Sequence, residues 1–323
     1  MKTNCKISGI GVYLPSAVLP NEELESQFPD FKAAKIVKKI GIRQRHIAAP
    51  GETALDMGEQ AAKNLFSTCP EAEEADFLLF CTQSPDYFLP TGACILQTRL
   101  GMSSAMGAFD YNLGCSGFVY GLATAKGLVA GGIASSVLLI TAETYSKYLD
   151  PGDKGNRSIF GDGAAAVLIS SCEEEHFGKF VLGTDGRGCQ NLIVRNGGAR
   201  NRTDGSPDDK LYMNGPEIFN FTIEVVPRLV SQVLADNDMT LDQIDHFVFH
   251  QANKYMLSYL GMKIGLPEDK FHIDMEDTGN TVSASIPILL EKLRKKGALH
   301  PGDRILMAGF GVGYSYGIGV VTW

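Results

Sequence analysis

Unbroken apolar runs of strand length alternate along this chain with longer segments in which apolar residues recur every three or four positions. Residues 5–14 alternate as a strand does and stop at Pro15, a residue suited to a surface turn. Lys32, Lys35 and Lys39 follow at helical spacing and give a short helix one basic face, with Lys38, Arg43 and Arg45 close by. On its own such a face is a solvated surface. Thr53 with Asp56 three residues on predicts a capped helix start, and the helix runs to about Phe66. Residues 75–83 form an apolar run that reads as a strand covered on both faces. Pro90 then opens a helix to about Leu100, at the turn where its missing N–H is harmless. Residues 105–113, 135–144 and 163–171 read as strands, with an almost uncharged helix at 116–132 between the first two. Strand–helix alternation with fully apolar strands predicts an α/β architecture with covered sheets.

The second half opens with a strand near Phe180 and a polar stretch, 195–210, dense in Gly, Asn, Arg and Asp. A loop of that length in a compact domain is usually functional or mobile. Residues 217–234 carry Phe219, Ile223, Val226, Leu229, Val230 and Val233 at helical spacing, and Pro227 should bend or interrupt that helix. Strands at 245–250, 271–275, 304–308 and 316–322 and helices at 255–265 and 285–296 complete the order. The two halves repeat each other. Residues 76–81 answer to 245–250, Gly114-Cys115-Ser116 and its helix to Gly279-Asn280-Thr281 and its helix, 136–145 to 303–312, and 163–169 to 317–323. Order preserved through four elements points to a duplicated unit, and halves packed face to face can bring equivalent positions to one site.

Composition narrows the function. At 323 residues, 44% hydrophobic and 20% charged, the chain can fill one large domain or two fused halves and is not a disordered polymer. A net charge of -8 speaks against nucleic-acid binding by the whole surface, so an acidic partner must meet a local basic patch. Seven cysteines without a Cys-x-x-Cys pair suggest reduced thiols and a cytoplasmic location. The start from Met1 to Lys6 enters a strand pattern without a signal-peptide core, and no apolar run reaches the roughly 18 residues of a membrane span. The Asn-x-Thr sequences at Asn201 and Asn220 then read as chance matches. No histidines have metal-site spacing and no phosphate-binding Gly-x-x-x-x-Gly-Lys-Ser/Thr occurs, so metal chemistry and nucleotide hydrolysis drop out.

Three positions remain as candidates for chemistry. Cys115 would sit at the first turn of an apolar helix in which Lys126 is the single charge. A helix N-terminus lowers a thiol pKa, while burial raises it; the alternative role is a small buried hydrophobe. His250 ends an apolar strand and opens His250-Gln251-Ala252-Asn253, at the end of a strand where α/β proteins place site residues, although a satisfied core histidine would look the same. Asn280 could be a helix cap, but the repeat sets it opposite Cys115. Gly309-Phe310-Gly311-Val312-Gly313 lies between two strands and leads into no helix. It therefore fails as a dinucleotide loop and suits backbone N–H groups of an oxyanion hole.

Taken together, Gly114-Cys115-Ser116-Gly117-Phe118, His250-Gln251-Ala252-Asn253, Gly279-Asn280-Thr281, Phe160-Gly161-Asp162-Gly163-Ala164 and the glycine loop resemble the β-ketoacyl-acyl-carrier-protein synthase III family of thiolase-fold condensing enzymes. The resemblance covers nearly the whole chain. It implies a five-layer αβαβα thiolase-like fold of two duplicated halves, 1–172 with the nucleophilic cysteine and 173–323 with the histidine and asparagine, and a homodimer. It implies that Cys115 takes an acyl group from a thioester donor, that His250 and Asn280 stabilise the decarboxylation of malonyl-acyl-carrier protein, and that the backbone N–H groups of Cys115 and Val312 form the oxyanion hole. No metal or redox cofactor is implied.

Departures from the family pattern mark the substrate-binding positions. Lys35, Lys39 and Lys154 stand where the family has the tryptophan and arginines that hold coenzyme A, and point charges can hold phosphate but cannot stack. Asn253 and Lys254, followed by Tyr255 in place of an arginine, stand where carrier protein docks, and Leu89 replaces a phenylalanine on the pocket wall. These changes, with the 195–210 loop, keep a second reading in play: an acyltransferase of the same fold that delivers to an oxygen or nitrogen of a sugar or specialised metabolite. A non-catalytic partner subunit would be expected to lack the cysteine, which this chain keeps.

Overall fold

The structure, a computed structural model, describes residues 4–323. Residues 1–3, the head of the segment expected to lead into the first strand, lie outside the described residues. The first half runs β1 (Asn4–Tyr13), β2 (Ala17–Pro20), α1 (Asn21–Gln27), α2 (Ala33–Ile40), β3 (Gln44–Ile47), α3 (Ala54–Phe66), β4 (Phe77–Cys81), α4 (Gly92–Arg99), β5 (Gly107–Tyr111), α5 (Gly117–Ala130), β6 (Ser136–Glu143), α6 (Lys154–Ile159) and β7 (Gly163–Cys172). The second runs β8 (Phe177–Thr184), β9 (Leu192–Ile193), β10 (Tyr212–Met213), α7 (Gly215–Asp236), β11 (His246–Phe249), α8 (Lys254–Ile264), α9 (Ser285–Lys295), β12 (Arg304–Gly311) and β13 (Ser315–Thr322).

Two sheets dominate, in the orders β1-β7-β6-β4-β5 and β8-β13-β12-β11. Matched through the sequence repeat, the orders coincide. β4 pairs parallel with β6 as β11 does with β12, and β6, β7 and β1 run antiparallel in turn as β12, β13 and β8 do. β5, parallel to β4, has its counterpart in a single parallel bridge between Phe271 and Phe247.

α5 and α9 lie between the sheets. Phe118, Val119, Leu122 and Val129 of α5 and Ile286, Leu289, Leu290 and Leu293 of α9 share one core with Leu79, Val137, Val167, Val248, Ile305 and Met307 from the two sheets. That explains the nearly uncharged α5, since a helix apolar all round must be covered all round. Its Lys126 reaches the carbonyls of Phe177 and Gly178 at 2.7 and 2.8 Å. α3, opened by the expected Thr53–Asp56 capping box, covers the outer face of the first sheet. α7 and α8 cover that of the second. The layers are αβαβα, as the resemblance implies.

Three local expectations fail for identifiable reasons. α7 continues without interruption through Pro227. The carbonyl four residues back, Ile223, which proline leaves without its N–H partner, is taken by Lys263 Nζ at 2.8 Å. Residues 271–275 do not form a strand. The Gln251 side chain replaces the neighbouring ladder by donating to the His272 carbonyl at 3.3 Å and accepting from the Asp274 N–H at 2.9 Å. Arg45 is not part of the basic face. It is fully buried on β3 of the antiparallel β2–β3 pair, bonded to the carbonyls of Leu19 and Ser158 and to the Asn21 side chain, and burial pulls its pKa down to about 10. α7 is also long and apolar enough, by length and composition, to cross a membrane; here Phe221, Val226, Val230 and Val233 bury its apolar face against the second sheet. The stretch 195–210 is ordered around Asp209, whose carboxylate accepts from the Gly205 N–H at 2.7 Å and from Asn196 Nδ2 at 3.0 Å.

Candidate active site

Cys115 occupies the turn between β5 and α5 and is buried. Its position depends on the strand opposite. A Cβ at Gly309 would lie 2.7 Å from the Cys115 carbonyl oxygen, and one at Gly311 would lie 2.7 Å from its Sγ. The glycines of the expected oxyanion loop therefore let β12 press against the cysteine turn. The Val312 N–H hydrogen-bonds the thiol and, with the backbone at Cys115, lowers its pKa. Burial is the larger effect, and the thiol is pushed up to about 12. Of the two opposing effects that the sequence sets out, desolvation outweighs the backbone donors. Ser116 beside it is tied across the halves to Ser315 by a 2.6 Å hydroxyl pair.

His250 directly follows β11 and is buried, with its ring edge-on to Phe310 at 5.9 Å. Its Nδ1 is engaged by Ser285 Oγ at 2.7 Å. Burial pulls its pKa down to about 3, against a smaller upward pull from the Val282 carbonyl, so the ring is neutral at physiological pH. Asn280 follows Gly279 in a segment bridged to Phe160. Its N–H donates to the Ile159 carbonyl at 2.9 Å, and its side-chain Oδ1 accepts from the Val282 N–H at 2.9 Å. That fixes the amide orientation and turns Nδ2, a donor, away from the turn.

The three meet. Cys115, His250 and Asn280 line one cavity of about 140 Å³, together with Asn253, Phe160 and Phe310. A larger recess of about 890 Å³ adjoins it at Leu192 and is walled by Val312, Asn112, Gln83, Tyr145 and the exposed Tyr87-Phe88-Leu89 segment. Of the expected substrate-binding residues, Asn253 reaches the smaller cavity and also caps α8 through Met256 N–H at 2.9 Å, while Leu89 lines the larger recess. Lys254 lines a separate cleft with Asp274 and Lys296. Lys35 and Lys39 are exposed on α2, Lys154 is paired with Asp30, and none of these three lines either cavity.

Sequence reasoning missed the carboxyl behind the cysteine. Glu143 ends β6 completely buried. It accepts from the Gln83 N–H at 3.0 Å, from Ser84 Oγ at 3.3 Å and from Ser283 Oγ at 2.9 Å, and burial raises its pKa to about 8. A lone carboxylate closing an otherwise apolar strand was the available signal.

Comparison with known proteins identifies the family. The family description "3-Oxoacyl-[acyl-carrier-protein (ACP)] synthase III" matches residues 109–186, and its C-terminal counterpart matches 234–323. The β-ketoacyl-[acyl-carrier-protein] synthase III of Clostridium beijerinckii is 36% identical, covering 99% of this chain and 100% of that protein. A crystal structure of a 3-oxoacyl-(acyl-carrier-protein) synthase III is 47% identical with a TM-score of 0.97, covering 99% of this chain and 100% of the other. The enzyme of that name from Pseudomonas aeruginosa PAO1 is 32% identical with a TM-score of 0.91, over 99% and 98% of the two chains.

Proposed function

This chain belongs to the 3-oxoacyl-[acyl-carrier-protein] synthase III family, and on that premise we propose how its residues divide the reaction. The protein is an acyltransferase that condenses an acyl thioester with malonyl-acyl-carrier protein, a step of fatty acid biosynthesis. Transfer of the acyl group to oxygen or nitrogen is the disfavoured alternative, because the pair of donors that decarboxylation needs is in place.

In the first half-reaction Cys115 Sγ attacks the donor thioester carbonyl, whose oxygen takes up charge against the N–H groups of Cys115 and Val312. The carbon–sulfur bond of the donor breaks, and the departing thiol carries the proton that Cys115 gives up. A thiol held near 12 loses that proton only as the new bond forms. In the second, malonyl-acyl-carrier protein enters and its thioester oxygen accepts from His250 Nε2 and Asn280 Nδ2. Carbon dioxide leaves, and the carbanion so stabilised attacks the acyl-Cys115 carbonyl. Collapse of the tetrahedral oxyanion releases the β-ketoacyl thioester and the Cys115 sulfur, which takes a proton. The neutral His250 suits this role, since the enolate needs a hydrogen-bond donor and no net charge has to be buried in advance. The chemistry calls on no metal or redox cofactor.

The observation that carries this reading is the convergence of Cys115, His250 and Asn280 on one cavity with the Asn280 carbonyl already satisfied. We extend it to the surroundings: halves at 1–172 and 173–323, a homodimer closing the recess beside Leu89, and carrier protein and phosphate contacts at Lys35, Lys39, Lys154, Asn253 and Lys254. A cytoplasmic location is consistent with the seven free thiols. Intact-mass measurement after incubation with acyl-coenzyme A and acyl-carrier-protein donors should show one acyl adduct that Cys115→Ala abolishes. His250→Ala and Asn280→Ala should keep the adduct and lose carbon dioxide release from malonyl-acyl-carrier protein. An adduct that survives Cys115→Ala, or decarboxylation that survives both other changes, sinks the assignment.

A further inference from the structure

The turn after Asn280 serves both decarboxylation donors at once. The Val282 N–H donates to Asn280 Oδ1 at 2.9 Å, and the Val282 carbonyl faces the His250 ring. One peptide-length of chain thus orients two side chains. To do so Val282 adopts φ +53°, a left-handed conformation that a β-branched residue takes only where its surroundings hold it there. The next residue supplies the hold. Ser283 is buried, and its Oγ donates to Glu143 Oε1 at 2.9 Å, across 140 positions of sequence from the first half to the second. Glu143 is anchored in turn by the Gln83 N–H at 3.0 Å and by Ser84 Oγ at 3.3 Å.

We propose that Glu143 is a positioning residue for decarboxylation: acting through Ser283, it locks the left-handed Val282 turn and thereby sets His250 and Asn280 toward the malonyl thioester. The inference rests on the roles proposed above for those two residues. It separates the two half-reactions, because the Ser283 tether acts on the Val282 turn, whereas the cysteine turn is held by β12 and by the Ser116–Ser315 pair.

The test measures both half-reactions on purified full-length protein: transfer of the acyl group to Cys115 by intact mass, and carbon dioxide release from malonyl-acyl-carrier protein. Ser283→Ala removes only the tether. It should slow decarboxylation by about tenfold or more while acylation stays within about twofold, the pattern expected when orientation of the donors is lost. Glu143→Ala should do the same. Glu143→Gln, which keeps a carbonyl for the Gln83 N–H and offers an N–H to Ser283 Oγ, should restore decarboxylation to within about threefold of the parent. Decarboxylation unchanged in Ser283→Ala, a parallel fall in both half-reactions, or a Glu143→Gln protein as slow as Glu143→Ala overturns the proposal. His250→Ala is the control: if it still releases carbon dioxide, the proposed function fails, whereas loss in His250→Ala alone refutes only the tether.

Discussion

At the scale of single residues, burial decides the protonation of the site. Glu143 is raised from 4.5 to about 8, and His250 is lowered from 6.5 to about 3. Between pH 4.5 and 8 the folded chain keeps the Glu143 proton that the unfolded chain has lost, so this group makes stability fall as pH rises across that window. His250 acts with the opposite sign: below pH 6.5 the unfolded chain binds a proton that the folded chain refuses until about pH 3, so stability falls as pH falls. Each effect is on the order of a few kcal/mol, and they oppose each other between 4.5 and 6.5. Glu143→Gln removes one of the two. Denaturant melts should show the variant gaining on the parent steadily from pH 5 to pH 8, and a constant difference across that range would refute the buried ionisation. Gly311 supplies a second prediction. Gly311→Ala places a methyl 2.7 Å from Cys115 Sγ, so either the thiol or β12 must move, and acylation should fall by about tenfold or more, since small displacements of a nucleophile cost that much. A normal rate of adduct formation would show that the close approach is dispensable. Cys115, His250 and Asn280 were legible in the sequence because each sits at an element boundary with an unusual local string. Glu143, Ser283 and Ser285 were not, because their roles lie in contacts with residues 35 to 140 positions away.

At the scale of elements, side chains standing in for backbone partners account for what hydrophobic periodicity misread. The period-two and period-3.6 patterns located the strands and helices of both sheets, down to the Thr53 capping box. They failed where a polar side chain rewrote the hydrogen-bond ladder. Gln251 occupies backbone groups around 272–274 that a longer strand would need, and Lys263 serves the carbonyl that Pro227 abandons. No local window contains both partners of either arrangement. The Lys263 bond is partly solvated, so Lys263→Met should cost about 0.5–1.5 kcal/mol in urea unfolding. In a Pro227→Ala background, the restored N–H can take the Ile223 carbonyl, and the same lysine change should then cost close to nothing. Additive costs in this double-mutant cycle would show that the lysine does not compensate for the proline.

At the scale of the whole molecule, duplication explains why one site draws on both halves, and it also leaves one face unfinished. The repeat places the Cys115 turn and the Asn280 turn at equivalent strand ends, and the packing of α5 against α9 brings them to a common cavity. The larger recess has no such inner wall. Tyr87, Phe88 and Leu89 stand 60%, 73% and 81% exposed at its rim, an apolar cluster that a soluble surface rarely leaves uncovered unless a partner meets it. A second copy of the chain is the proposed cover, and a two-fold contact would bury the cluster on both copies at once. The protein should sediment at twice its 34.9 kDa. Phe88→Asp combined with Leu89→Asp puts two charges into that contact and should shift it to the monomer, because an unpaired charge at an apolar interface costs several kcal/mol. Acyl transfer to Cys115 should weaken in the same variant, since the recess then opens to water. A parent that sediments as a monomer, or a doubly substituted protein that stays dimeric, removes this face from the interface and leaves the recess to be closed by the 195–210 segment, whose Asn196, Gly197 and Gly198 already line it.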